Sequence, residues 1–196
     1  MQGHPPFPPP PPRPGKGMPT WLIVLLSVAI GGVFIVGILA VLAVYGVRKY
    51  IGNAKQAEAR NSLGQIAKDA SAAYERESLS PGTPDGLCAT ASQSVPATAS
   101  MIKGVKYQSA AGDWKVDASR PHAGFACLEF SLDMPQYYMY SYRARGTKKP
   151  GDDFTATANG DLNGDGVMST LWISGKVTPG DVLAIEPLLG ENNPQE

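Results

Sequence analysis

From Trp21 to Tyr45 the chain runs for 25 residues without a charge, and its only polar side chains are Ser27 and the terminal Tyr45. Coiled as a helix at about 1.5 Å per residue, this run is roughly 37 Å long, enough for a ~30 Å hydrocarbon core with some tilt. The competing reading is a cleaved secretory signal. Signal apolar regions are usually only about 7–15 residues long, and no Ala-x-Ala-like site follows this run. A retained transmembrane helix over residues 21–45 is expected. Gly31, Gly32 and Gly37 soften it, as glycine does in many membrane spans.

What flanks the span divides the chain further. Residues 1–20 form a low-complexity tail with Pro5, Pro6 and an unbroken Pro8 to Pro12. Such a segment builds no core and samples polyproline II, as a cytoplasmic spacer or as a ligand for a cytoplasmic partner with an aromatic-lined groove. Residues 46–79 lack proline and are rich in Ala, Lys, Gln, Glu and Arg, which predicts a helical stalk continuing the span. Val47, Tyr50, Ile51, Ala54, Ala57, Leu63, Ile66, Ala70 and Tyr74 fall at three-and-four spacing, a packing stripe from which Lys55, Arg60 and Lys68 turn away. Span and stalk together would reach roughly 80 Å. Ser80, Pro81, Gly82, Pro84 and Gly86 end the helix.

Residues 80–196 read as a β-rich head after a polar loop from Cys88 to Ser100. Met101–Ser109 and Trp114–Asp117 flank Ala-Ala-Gly-Asp as a hairpin would. Phe125–Leu132 alternates, with Leu128, Phe130 and Leu132 on one face. Tyr137–Arg143 does the same with Tyr138, Tyr140 and Tyr142. Phe154–Leu162 and Val167–Ser174 form two more strands around Asn163-Gly164-Asp165-Gly166. One long helix followed by short strands predicts an α+β fold, the helix covering one face of an antiparallel sheet.

Charge leaves the orientation open. Arg13 and Lys16 precede the span while Arg48, Lys49 and Lys55 follow it, which by the positive-inside rule puts the head in the cytoplasm. The two cysteines, Cys88 and Cys127, argue the other way. Their spacing suits neither a zinc site nor a redox CxxC, and one disulfide in an exported head is the simplest account. Two unpaired buried thiols are the alternative. Closing a loop of about 40 residues would contribute about 3–4 kcal/mol. An exported head is favoured.

The best candidate for chemistry is Asp161-Leu-Asn163-Gly-Asp165-Gly166, whose alternating oxygens resemble the opening of an EF-hand calcium loop. The twelfth position, which needs a bidentate glutamate, is Trp172, so the choice lies between a partial Ca2+ loop on Asp161, Asn163 and Asp165 and a plain hairpin turn. The hairpin is favoured. The tyrosines from Tyr137 to Tyr142 precede Arg143, Arg145, Lys148 and Lys149, a weak signal for nucleic-acid stacking; a zero net charge argues against such a partner. His122 is the only histidine outside the tail, and it sits in a turn-like Pro-His-Ala-Gly; no nucleophile–base set or phosphate-cradling loop is recognisable. Neither an enzyme nor a required cofactor is expected.

Three segments carry a resemblance. Gly37-Ile-Leu-Ala-Val-Leu-Ala with Tyr50-Ile51 and Lys55-Gln-Ala-Glu-Ala-Arg60 is similar to the second half of a type IV pilin helix as it leaves the membrane. Leu128-Glu-Phe-Ser through Pro135-Gln-Tyr-Tyr-Met-Tyr-Ser-Tyr142 resembles a pilin head strand pair, and Phe154 to Gly166 with Ser169-Thr170 resembles the terminal hairpin. Together they cover roughly residues 37–175 and are most similar to deltaproteobacterial and myxobacterial pilins.

The resemblance implies a bacterial inner-membrane protein, N-terminus cytoplasmic and head periplasmic or extracellular. It also implies other pilin-like subunits or pilus assembly machinery as partners beside the lipid bilayer. Basic residues after the span are a shared feature of such proteins. Lys16-Gly17-Met18 resembles a prepilin leader cleavage site, with Gly17 and Met18 flanking the cut; the family's glutamate position is Leu22 here, or Val28 on alignment from Gly37. The expected role is a structural or accessory subunit of a type IV pilus or related secretion or adhesion system. The alternative is an uncleaved surface or periplasmic protein of pilin architecture that binds calcium or DNA.

Overall fold

The computed structural model describes Gly15, residues 17–79 and residues 86–194. Most of the proline-rich tail (residues 1–14 and Lys16) and residues 80–85, expected to end the helix, lie outside the described residues. The chain forms two compact units, Met1–Gly46 and Val47–Glu196.

A single α-helix, α1 (Thr20–Leu79, 60 residues), provides the described helix of the first unit and opens the second. It starts after Pro19, whose carbonyl accepts the Leu22 and Ile23 N–H groups at 2.9 and 3.4 Å. Residues 23–46 are exposed throughout. None of this apolar stretch is buried among the described residues, and α1 is long and apolar enough to cross a membrane. The Ser27 hydroxyl donates to the Ile23 carbonyl at 2.8 Å, so this polar group of the run is satisfied within the helix itself.

In the second unit α1 lies over an antiparallel five-stranded sheet. β1 (Met139–Arg145), β2 (Asp153–Gly160), β3 (Ser169–Thr178) and β4 (Val182–Ile185) follow in that order, and β5 (Gly190–Asn192) pairs with β3 beside β4. Alternation decides the inner face. Tyr138, Tyr140 and Tyr142, then Phe154, Ala156 and Ala158, then Leu171, Ile173 and Val177 are buried in one cluster with Ala59, Leu63, Ile66, Ala67, Ala70, Ala73 and Tyr74 of α1. Large residues face small ones across the strands: Tyr140 pairs with Ala158 and Tyr142 with Ala156. A Cβ on Gly160 would lie 2.9 Å from the Tyr138 ring, and one on Gly175 only 2.4 Å from the Phe154 ring. These glycines hold the volume that the rings fill.

The outer edge of β1 is covered by residues 87–95. Val95 and Tyr140 exchange both backbone hydrogen bonds (2.9 and 2.8 Å), the Ala91 N–H donates to the Tyr142 carbonyl, and the Leu87 N–H to that of Thr147. This strap removes one open sheet edge. The disulfide Cys88–Cys127 ties it to a short helix, α2 (Gly124–Leu128).

Residues 101–132 depart from the sequence expectation. The hairpin expected around Ala-Ala-Gly-Asp is absent, and 3₁₀ turns occupy Ala99–Ile102 and Asp113–Lys115. The Asp113 carboxylate accepts both the Ala110 N–H and the Tyr107 hydroxyl at 2.9 Å, which closes a turn where a strand was expected to begin. Trp114 is thereby driven inward, edge-on to Phe125 and Phe130 at 5.1 Å each, its indole N–H on Ser109 Oγ at 3.0 Å. The first half of the strand expected over Phe125–Leu132 is α2, closed by Glu129 in the left-handed region (φ 60°), and the rest is irregular. That reversal buries both Leu128 and Phe130, which in sequence reads as alternation. β4 and β5 are additional to the expected strands.

Candidate functional site: the helix seam and the aspartate loop

The stripe on α1 divides in two. Leu63, Ile66 and Tyr74 are buried beneath the sheet, whereas Tyr50, Ile51 and Ala54 are exposed, Tyr50 by 75%. Three-and-four spacing identifies a face but not what covers it, and the head covers α1 only from about Ala59 onward.

Two of the three cations expected to turn away from the apolar stripe reach the head from its flanks. The Lys55 ammonium donates to the Leu162 carbonyl at 2.7 Å and lies 4.6 Å from the centre of the Tyr137 ring. The Arg60 guanidinium pairs with Glu191 of β5. Long side chains reach back over a neighbouring surface from helix positions flanking the apolar face. Lys68 remains exposed.

Between these two, Glu58 accepts the Tyr137 backbone N–H at 2.8 Å. Burial pushes its carboxyl above the ordinary glutamate value, against the opposing pull of that hydrogen bond, of Lys106 and of the Tyr140 hydroxyl. Sequence reasoning missed Glu58; its only signal was a carboxylate one residue before the buried Ala59. Burial also raises the Tyr138, Tyr140 and Tyr142 phenols. Tyr138 shares a hydrogen bond with Ser169 at 3.2 Å, whereas the Tyr142 hydroxyl has no hydrogen-bond partner among the described residues. These three rings are 0–1% exposed, so the tyrosine run is core and offers no stacking platform; Tyr137 alone is partly exposed.

The aspartate loop joins β2 to β3. Asp161, itself buried, accepts the Gly164 N–H at 2.7 Å with one oxygen and the Gly166 N–H at 3.0 Å with the other. Asn163 Oδ1 accepts the Asp165 N–H, and Asp165 accepts the Val167 N–H and the Asn163 amide. Gly164 and Gly166 supply the positive φ angles (82° and 95°). Asp161, Asn163 and Asp165 are therefore brought together, closed on backbone N–H donors as a hydrogen-bonded turn. No group of three or more His, Cys, Asp or Glu side chains is gathered for a metal among the described residues.

Cys88 and Cys127 are joined, 39 residues apart in sequence. Nearby, Arg76 donates to the Cys127 carbonyl at 2.8 Å and pairs with Glu129 at 3.1 Å, so α1, α2 and the strap meet there. A cleft of about 540 Å³ opens beside them over Trp114, Phe125 and Phe130, with Lys115, Arg120 and His122 at its rim. Its wall is set by Asp117, which takes the Ser92 N–H and Arg120 at 2.9 Å each. Burial alone would raise the Asp117 carboxyl, but the Ser92 hydrogen bonds and Arg120 outweigh it and hold the group below the usual carboxylate range. Gly17 and Met18, the residues flanking the leader-like site, are exposed and precede α1.

No protein-family model matches the chain, and neither does any curated protein or solved structure.

Proposed function

We propose that this chain is a membrane-anchored, pilin-like structural or accessory subunit of a type IV pilus or a related secretion or adhesion system. It works by packing of its helix and not by chemistry on a substrate. The observation that supports this reading is that one uninterrupted 60-residue helix is exposed and apolar over its first half and forms the core of a β-head over its second. A helix apolar on all sides suits lipid or a bundle of like helices, since in water it would be a severe liability. The resemblance of residues 37–175 to pilins supplies the system, and its partners are the bilayer, other pilin-like subunits and the assembly machinery. The test is to shear surface filaments from the producing cells and probe both the sheared material and the membrane-bound machinery for this chain. Absence from both sinks the proposal. The N-terminal sequence of the purified protein adds the mode: a start at Met18 means leader processing and filament incorporation, an intact proline tail a permanent anchor.

A further inference from the structure

The end of the second unit at which the chain enters it is basic and partly apolar. Arg48, Lys49 and Lys55 occupy roughly 10 Å of helix axis. Lys106 lies over the same Tyr137 ring as Lys55, its ammonium 4.8 Å from the ring centre, so the loop of residues 103–106 flanks α1 there. This loop is built to project. Ile102 before it is fully buried, and Gly104 (φ 67°) donates its N–H to the Asp161 carbonyl at 2.8 Å and rests its Cα against Gly164. Lys103 and Val105 on either side are exposed, Val105 by 56%.

The carboxylates of this region are Glu58, Asp161 and Asp165, and Asp161 is buried with its two oxygens on the Gly164 and Gly166 N–H groups. Glu58 is half-buried on the Tyr137 N–H, and Asp165 is engaged by the Val167 N–H and the Asn163 amide. Five cations, Lys55 among them already donating to the Leu162 carbonyl, against these three still leave a net positive surface, interspersed with the exposed apolar side chains of Val47, Tyr50, Ile51 and Val105. A polyanion such as a nucleic acid would match the charge and leave those apolar groups in water. Negative headgroups over hydrocarbon match both.

We propose that this surface, centred on Lys55, Lys103, Val105 and Lys106 with Arg48 and Lys49 on α1, docks on the headgroups of an anionic lipid membrane. The inference rests on the membrane-anchor reading above. It gives a role to cations that the positive-inside rule counts against an exported head: they hold headgroups on the side where the head emerges.

The experiment is lysine acylation, read by mass spectrometry, on the full chain reconstituted into vesicles of phosphatidylcholine with or without about 30% phosphatidylglycerol. Lys103 and Lys106 are expected to label about threefold more slowly in the anionic vesicles, with Lys115 and Lys176 as unchanged controls. The protection should vanish at about 1 M salt, where the Debye length is about 3 Å. Equal labelling in the two vesicle types overturns the lipid assignment and leaves the patch to a protein or polyanion. A chain that an alkaline wash strips from both vesicle types fails earlier, at the anchor, and takes the lipid patch with it.

Discussion

The Glu58 carboxylate on α1 accepts the backbone N–H of Tyr137, 79 residues later, at 2.8 Å, fastening the helix to the head one residue before β1's aromatic row begins. Because burial raises this carboxyl above 4.5, the folded state holds its proton to a higher pH than the unfolded chain does. Its contribution is therefore fullest below the unfolded value and is lost as pH rises through the folded one. Glu58→Gln keeps an acceptor for the Tyr137 N–H without a charge. Its melting temperature should exceed that of the parent at pH 7, with the gap closing below pH 4.5. A gap independent of pH would show that Glu58 is not the group responsible.

The glycines make opposite predictions according to their surroundings. Gly175→Ala must displace the Phe154 ring and the Ile185 side chain, which lie 2.4 and 2.8 Å from the new Cβ, and should cost about 1–3 kcal/mol. Gly64→Ala, on α1 with nothing within 4 Å, should gain about 0.5–1 kcal/mol through helix propensity. Denaturant unfolding of the two variants reads both signs. If both destabilise, the free space at Gly64 is occupied by something else, such as a neighbouring subunit.

Tyr142→Phe removes a hydroxyl that is buried without a partner among the described residues, so it should leave stability unchanged or raise it by up to about 1 kcal/mol. Tyr138→Phe removes the bond shared with Ser169 and should lower stability by about 1 kcal/mol. Thermal melts of the pair in one detergent decide it; a larger loss at Tyr142 than at Tyr138 would contradict the assignment.

Replacing Cys88 and Cys127 together with Ser frees a 39-residue loop and should destabilise the head by about 4 kcal/mol on the chain-entropy estimate. The strap along β1 should open first. Hydrogen exchange at the Ala91 and Val95 amides, both bonded to β1 carbonyls, is the sensitive readout. Unchanged protection there would place the disulfide's effect elsewhere.

Since the oxygens of Asp161, Asn163 and Asp165 already accept N–H donors, millimolar Ca2+ should leave the melting temperature unchanged. Asp161→Asn, with one donor facing an N–H, should destabilise the turn with or without the ion. A rise of several degrees with Ca2+ in the parent, lost in Asp161→Asn, would reinstate a calcium loop.

How much of this was legible depended on whether one local rule governed a segment. The uncharged Trp21–Tyr45 run, the Tyr138-Tyr140-Tyr142 alternation and the positive-φ glycines of the Asn163–Gly166 turn each answer to a single constraint, and each was readable. The stretch from Met101 to Leu132 was not. There Asp113 captures the Ala110 N–H and the Tyr107 hydroxyl and Glu129 adopts a left-handed φ, so a tertiary cluster around Trp114 overrides strand propensity. β4 carried a signal that went unread, Pro179-Gly180-Asp181 with positive φ at the last two residues, a turn before Val182. At the seam, periodicity located Leu63 and Ile66. It could not foresee Lys55 and Arg60 reaching back to Leu162 and Glu191, because side-chain reach depends on a surface built later in the chain.

Every residue by which α1 contributes to the core, from Ala59 to Tyr74, is made before the first strand at Met139, so the helix waits some 65 residues for the sheet that will cover it. During that interval Leu63, Ile66 and Tyr74 have no sheet to pack against. A head produced without α1 would lack the surface its tyrosines were selected to meet, and should be recovered as aggregate unless the helix is returned to it in trans.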